Sequence, residues 1–132
     1  MARGMYVLCE IEGVLEKISS DKLPSNNHID GELIFPTSRM LRGFARSGAE
    51  VVLISNRSED QEVEIKCWLR DFGVDYDWLH LVPKGVSFET HIKQTLSEHK
   101  SDLLIAALVH DSLLRSVLAA SHQRPTIYEV HK

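Results

Sequence analysis

Short apolar runs alternate with amphipathic segments along most of the chain. Five runs have the composition of buried strands: Met5 to Leu15, Glu50 to Ile54, Trp78 to Val82, Leu103 to Val109 and Thr126 to Val130. Between the later runs, apolar residues recur at the spacing of one helix face. This strand and helix alternation predicts an α/β fold, a three-layer sandwich with a mainly parallel sheet.

The four predicted helices lie between these strands. The first begins near Thr37 and ends at Gly48, and the second follows Ser58, which with Gln61 fits a capping box, and ends at Gly73. The third opens near Ser87, and the fourth follows Ser112. In the second helix the predicted core face is Ile65, Trp68, Leu69 and Phe72.

The segment from Glu16 to Pro36 interrupts the alternation. It is rich in Ser, Asn, Asp and Lys and has few apolar residues. Long excursions of this kind are often lids or binding segments, although a surface loop is as good an interpretation from composition. We expect a small cap-like insertion at about residues 16–36, within a single domain covering residues 1–132.

The first apolar run ends in two carboxylates, Glu10 and Glu12, followed by Gly13. Side chains in a strand alternate with a period of two, so both carboxylates are expected on one side, with Gly13 allowing a sharp turn behind them. Such a pair can do acid–base chemistry or hold a metal ion. The other interpretation is the solvated side of an edge strand.

Polar groups also follow two of the later strands. Ser55, Asn56 and Arg57 come after the second, and His110 and Asp111 come after the fourth. Because parallel sheets bind ligands at the carboxyl ends of their strands, we expect these groups to meet Glu10 and Glu12 at one edge. This convergence predicts a functional site.

Composition narrows the function classes. The chain has 132 residues and a formal net charge of −4, which gives no general attraction to nucleic acid or anionic membranes. No apolar run is long enough to span a bilayer, and Cys9 and Cys67 are too few for a disulfide framework. A soluble, cytoplasmic protein is expected. The remaining histidines have no HxxxH or HExxH spacing and indicate no zinc site: His28, His80, His91, His99, His122 and His131.

These motifs resemble the haloacid dehalogenase-like hydrolase superfamily, over nearly the whole chain. Residues 10–15, Glu-Ile-Glu-Gly-Val-Leu, occupy its first motif, which reads Asp-x-Asp-Gly-(Thr/Val)-(Leu/Val). Ser55 matches the second motif, Lys93 the third with Lys84 as a weaker match, and His110-Asp111 the fourth. The small size, the short cap and Arg57 are most similar to phosphatase domains of phage polynucleotide kinase-phosphatases. No Walker A sequence is present.

The resemblance implies roles for these residues. Glu10 would be the nucleophile and Glu12 the acid/base, with Ser55 and Lys93 assisting. Phosphate would be bound by Ser55, Asn56, Arg57 and Lys93. The implied Mg²⁺ would be held by Glu10, Glu12 and Asp111, and coordination by His110 would shift the preference toward Mn²⁺ or Zn²⁺.

Three motif positions depart from the family pattern. Glu10 and Glu12 each carry one more methylene than aspartate, which displaces the carboxylate by about 1 Å, enough to cost about 100-fold in rate. His110 stands where an acid is usual. We therefore predict a domain without normal phosphatase activity that binds a protein or a phosphorylated ligand. The alternative is an active metal-dependent phosphatase acting on nucleic-acid 3′ ends, nucleotides or small phosphate esters.

Overall fold

Five parallel strands form one sheet in the order β3-β2-β1-β4-β5. The computed structural model describes residues 4–17, 29, 31–121, 123 and 125–129. Its strands are β1 (Met5–Glu10), β2 (Glu50–Ser58), β3 (Trp78–Val82), β4 (Leu103–Val109) and β5 (Thr126–Glu129). The predicted α/β class and parallel sheet are confirmed.

Helices cover both faces of the sheet. They are α1 (Phe35–Arg46), α2 (Glu62–Asp71), α3 (Phe88–Glu98) and α4 (Ser112–Ala119). Leu41 of α1 and Leu69 of α2 pack against Val7 and Cys9 on one face. On the other face Ile92 of α3 and Leu114 of α4 pack against Tyr6, Leu8 and Val52. The alternating side chains of β1 therefore contribute to two separate hydrophobic layers, as expected of a central strand buried on both faces.

Two local predictions differ from the structure. The polar group after Ile54 was predicted to end β2, but the strand resumes its pairing at Ser58, opposite Val82, after a register shift. Ser58 accepts a hydrogen bond from the Asp60 N–H and caps a short 3-10 helix rather than α2 directly. Phe72, predicted to lie in the core, is 40% exposed because α2 ends before it.

The order of the strands defines a crevice beside β1. From β1 the chain proceeds to β2 and β3 on one side, and it reaches β4 and β5 on the other. In such sheets ligands usually bind outside the carboxyl ends of the strands, at the point where the order of the strands reverses. Here that position lies between the ends of β1 and β4, next to Glu10.

The two ends of the predicted cap segment lie side by side. Glu16 forms an isolated bridge with Leu33, and the Lys17 N–H donates to the Glu32 carbonyl at 2.8 Å. Thr37 Oγ1 donates to the Val14 carbonyl at 2.6 Å, which ties α1 to the turn after β1. Residues 18–28 and 30, most of the predicted cap, lie outside the described residues. No helix in the described part of the chain has the length and apolar character to cross a membrane.

Candidate functional site

Glu10 is the last residue of β1, and its side chain lies against the end of β4. Its Oε1 accepts the backbone N–H groups of His110 at 2.9 Å and Asp111 at 3.0 Å. Only 2% of the residue is exposed. The loop between β4 and α4 therefore holds Glu10 at the crevice beside β1, as the predicted convergence required.

The pKa of Glu10 is raised to about 7. Burial is the largest cause, because it penalises the charged carboxylate, and the negative charges of Asp111 and Glu12 add to the rise. The two N–H groups from the β4–α4 loop oppose it. A substantial fraction of Glu10 is therefore protonated at neutral pH.

Glu12 lies against β2 instead, because β1 ends at Glu10 and the strand alternation does not extend to it. Both of its oxygens are occupied: Oε1 accepts the Asn56 N–H at 2.8 Å, and Oε2 accepts the Ser55 hydroxyl at 2.7 Å and Arg57 Nη1 at 2.7 Å. The Ser55 Oγ in turn accepts the Arg57 N–H at 3.0 Å. The predicted meeting of Glu12 with Ser55, Asn56 and Arg57 thus occurs as direct pairing among these groups.

Arg57 joins Glu12 to a second buried carboxylate, Glu16. Nη1 donates to Glu16 Oε1 at 2.8 Å and Nη2 to Glu16 Oε2 at 3.3 Å, while the Gly31 N–H donates to Glu16 Oε2 at 3.1 Å. Glu12, Arg57 and Glu16, which we call the arginine cluster, are all nearly inaccessible to solvent. Because Glu16 also holds Gly31, the arginine cluster links β2 to both ends of the predicted cap segment.

The arginine cluster contains one guanidinium for two carboxylates. Burial raises the pKa of Glu12 more than Arg57, Asn56 and Ser55 lower it. Burial also tends to lower the pKa of Arg57, but the two glutamates outweigh this effect and raise it. Arg57 Nε is buried and has no hydrogen-bond partner among the described residues. The guanidinium therefore remains charged and serves as an internal cation.

Asp111 and His110 occupy the other side of the crevice. Asp111 is the N-cap of α4, with Oδ1 accepting the Leu113 N–H at 2.8 Å and the Leu114 N–H at 3.3 Å. The His110 ring lies over Gly13, where an added Cβ would be 2.7 Å from His110 Cδ2. Gly13 has a φ of 84°, so this position needs glycine for both its backbone and its contact.

Lys93 is not brought to the carboxylates. It lies on the exposed side of α3, pairs with Glu89 one turn away at 3.8 Å, and faces a groove between α3 and α4. Lys84 follows the carboxyl end of β3, and its backbone N–H donates to Glu59 Oε1 at 3.3 Å. Of the two lysines, Lys84 is the one placed at the edge of the sheet where the site lies.

The side chains at this edge do not fit the implied Mg²⁺ site. Glu12 has both oxygens engaged, one oxygen of Asp111 caps α4, and Glu10 uses Oε1 for two backbone donors. Nowhere in the described ranges do three or more His, Cys, Asp or Glu side chains gather as metal ligands. Positive charge is supplied at Glu12 by Arg57, so an ion there would have to displace the guanidinium.

Three solved structures share this fold. A chain in the Pnkp1/Rnl/Hen1 RNA repair complex is 16% identical with a TM-score of 0.81, over 98% of this chain and 44% of that one. A second structure of the Pnkp1/Rnl/Hen1 complex gives 16% identity and a TM-score of 0.84, over 97% and 47% of the two chains. The D,D-heptose 1,7-bisphosphate phosphatase from B. bronchiseptica, solved with magnesium and phosphate, is 12% identical with a TM-score of 0.58, over 96% and 91%.

These comparisons confirm the haloacid dehalogenase-like fold expected from the sequence, and at such identities they show the fold alone. This chain spans less than half the length of the two repair-complex chains. No protein-family model matches the chain, and no curated protein sequence matches it.

Glu16 is the site residue that the sequence did not reveal. It lies at the start of the predicted excursion, and no motif or period marks it. Its two partners, Arg57 and Gly31, are 41 and 15 residues away along the chain. Knowledge that Arg57 is buried beside a single motif carboxylate would have indicated a further partner. Burial, however, was not visible in the sequence.

Proposed function

We propose that this chain is a haloacid dehalogenase-like domain without phosphatase activity, in which the residues of the former catalytic edge stabilise the fold. The observation that carries the proposal is the engagement of both Glu12 oxygens by Ser55, Asn56 and Arg57. An acid/base must exchange a proton with a leaving group or water, and a carboxylate in this position is occupied by other donors. Two of the four expected phosphate ligands, Ser55 and Arg57, are engaged by the same contacts.

This arrangement favours a protein over a phosphorylated ligand as the binding partner. Ser55 and Arg57 are buried and paired with Glu12, whereas α1 carries an exposed basic stripe of Arg39, Arg42 and Arg46. No described residue forms an ion pair with the stripe, and α1 itself has no acidic residue. Two of the fold neighbours come from a multi-protein RNA repair complex, which is in keeping with a role in an assembly.

Hydrolysis of an aryl phosphate and of a 3′-phosphorylated oligonucleotide tests the loss of catalysis. We expect no turnover above the rate without protein, in the presence of Mg²⁺, Mn²⁺ or Zn²⁺. The control is Glu10→Ala. Metal-dependent turnover by the wild-type protein that disappears in Glu10→Ala would contradict the proposal and establish the alternative, an active phosphatase.

Restoring the family residues gives the complementary test. The variant Glu10→Asp, Glu12→Asp, His110→Asp shortens both carboxylates and removes the histidine. Because an aspartate in place of Glu12 would not reach Arg57 in the same way, folding is checked first by circular dichroism. Metal-dependent hydrolysis by this variant would support the view that the fold is retained and only the catalytic residues have changed. A folded but inert variant would show that the roles assigned by resemblance are incorrect.

The protein-binding role is tested on the chain purified from its native cells. Size-exclusion chromatography with multi-angle light scattering should give a mass above that of the chain alone, with one stoichiometric partner. Charge reversal of the basic stripe, Arg39→Glu with Arg42→Glu and Arg46→Glu, should release that partner, while reversal of Lys66 on α2 should not. A mass equal to that of the free chain at physiological salt would contradict the role.

The active-phosphatase alternative rests on Glu10. This carboxylate forms no ion pair with a described residue, lies at the crevice between β1 and β4, and is near Asp111. Its pKa of about 7 would make it a poor nucleophile at acidic pH. If the alternative is correct, activity should therefore rise with pH through this region.

A further inference from the structure

A second group of polar side chains lies where the edge strand β3 meets the end of α3. His80 of β3 and His99, which follows α3, point their Nε2 atoms at each other at 2.9 Å. Their rings are 5.1 Å apart between centroids and nearly perpendicular, at 83°. Two imidazole nitrogens therefore lie within hydrogen-bond distance of each other, well away in sequence from the carboxylates of the candidate site.

The orientation of His80 is supported by a carboxylate. His80 Nδ1 lies 3.6 Å from Glu98 Oε2, which favours the tautomer with its proton on Nδ1 and a lone pair on Nε2. Carboxylates placed behind a histidine in this way fix the ring for metal binding in many proteins. His99 can present a lone pair at the same point when its proton is on Nδ1.

The surroundings suit a partly enclosed ion. His99 is 5% exposed, and Trp78 forms one wall, with its ring 6.1 Å from that of His80 and 5.0 Å from that of His99. Burial lowers the pKa of His80, although Glu98 opposes this. His91 Nε2 contacts the His80 carbonyl at 3.3 Å instead of turning toward the pair.

We propose that His80 and His99 form a two-histidine site for a divalent transition-metal ion, with Cu²⁺ and Ni²⁺ preferred over Zn²⁺. Two nitrogens that are each about 2.05 Å from one ion are about 2.9 Å apart at a right angle and about 3.3 Å apart at the tetrahedral angle. The observed separation of 2.9 Å corresponds to neighbouring positions of a square-planar or octahedral ion. Imidazole ligands and this geometry are typical of Cu²⁺ and Ni²⁺.

Binding an ion requires both rings to rotate, so that the two lone pairs turn from each other toward a common point. Water would complete the coordination, because no third described His, Cys, Asp or Glu side chain gathers with the pair as a ligand. The proposal is independent of the carboxylate edge and does not depend on the loss of phosphatase activity.

Tryptophan fluorescence provides a local readout. Cu²⁺ or Ni²⁺ titrated into the full chain in a chelator-free buffer should quench Trp78 in a saturable manner at one ion per chain. In Trp78→Phe the fluorescence change should be largely lost, while the heat of binding measured by calorimetry persists. Mg²⁺ should give neither response, because it prefers oxygen ligands.

Three variants locate the site. His80→Asn and His99→Asn should each weaken Cu²⁺ binding at least tenfold, and Glu98→Gln should weaken it about tenfold through the lost support of His80. Glu98 is largely exposed, so this variant reports on binding even if His99→Asn fails to fold. Glu89→Gln, an exposed carboxylate at the other end of the same helix, is the matched control for Glu98→Gln and should bind as the wild type does.

The alternative is a hydrogen-bonded histidine pair that takes no ion. Absence of saturable quenching and binding heat with Cu²⁺, Ni²⁺ and Zn²⁺ would establish it and overturn the proposal. Equal affinity in wild type, His80→Asn and Glu98→Gln would also overturn it, as would loss of binding in Glu89→Gln alone.

Discussion

Glu10 and Glu12 are one residue apart and almost equally buried, yet they are stabilised in different ways. Glu12 turns toward β2 and pairs with Arg57, which also pairs with Glu16. Glu10 turns toward β4, its donors among the described residues are backbone N–H groups, and burial raises its pKa to about 7. One carboxylate is paired with a cation and the other with backbone donors, and burial raises the pKa of both.

The difference shows how the neighbouring strand determines what a motif residue can do. A carboxylate in a low-dielectric position needs a counter-charge, several hydrogen bonds or a proton. In the Glu12 position the counter-charge comes from the chain itself, through Arg57. In the Glu10 position the carboxylate remains titratable near neutral pH.

Removing the guanidinium should have the largest effect on this comparison. Arg57→Met leaves Glu12 and Glu16 buried without a counter-charge, and we expect the free energy of unfolding to fall by about 3–5 kcal/mol in urea denaturation. Arg42→Met, on the exposed face of α1, is the matched control and should change stability by less than about 0.5 kcal/mol.

Two further substitutions should restore part of the stability that Arg57→Met loses. Adding Glu12→Gln and Glu16→Gln to Arg57→Met removes the uncompensated charges, and part of the lost stability should return. If Arg57→Met alone costs less than about 1 kcal/mol, the arginine cluster is not the structural element that we describe.

The pH dependence of stability should show that Glu10 titrates near neutral pH in the folded protein. The folded pKa of Glu10, about 7, lies above the value near 4.3 expected in the unfolded chain. The folded state therefore binds the proton more tightly, and this contribution is complete below about pH 4 and is lost as the pH rises through 7. Between pH 5 and 8 wild type should lose up to about 3 kcal/mol relative to Glu10→Gln.

Urea denaturation of wild type and Glu10→Gln at several pH values measures this difference. Groups other than Glu10 titrate in both proteins, so their contributions cancel in the difference. Glu64→Gln on the exposed face of α2 serves as the control, and its difference from wild type should change little with pH. A Glu10→Gln difference that is constant from pH 5 to 8 would mean that Glu10 is not protonated in the folded state.

Gly13 tests the turn that separates the two carboxylates. Gly13→Ala forces a side chain into a positive φ and against the His110 ring, and we expect a loss of about 2 kcal/mol by thermal or urea denaturation. Gly48→Ala has a similar φ of 99° but meets open space, so it should cost about 1 kcal/mol less. Equal losses would indicate that His110 moves aside freely.

Lys93 should show the smallest effect. Its exposed pair with Glu89 contributes little, so Lys93→Ala should change the free energy of unfolding by no more than about 0.5 kcal/mol. Lys66→Ala, which breaks the equivalent exposed pair with Glu62, is the control. If only Lys93→Ala lowers the free energy of unfolding by more than about 1 kcal/mol, Lys93 makes a stabilising contact in addition to its pair with Glu89.

Much of the fold was predictable because the signals are local. The bounds of β3 and β4 and the Ser87 cap of α3 agree with the apolar runs and capping residues of the sequence. The end of β2 was mispredicted because the polar run after Ile54 resumes pairing with β3 at Ser58. The exposure of Phe72 was mispredicted because α2 ends one residue before this periodic position.

The sequence by itself determined the alternation of strands and helices, and therefore which polar residues reach the carboxyl edge of the sheet. Only the tertiary structure decided their pairing: Glu12 with Arg57, Glu16 with the same guanidinium, and His80 with His99. The physical reason is that strand and helix periods follow from neighbouring residues, whereas a hydrogen bond between residues 19 to 45 positions apart depends on where the packed backbone directs each side chain. The paired carboxylates were visible in the sequence, but the internal cation that occupies one of them was not.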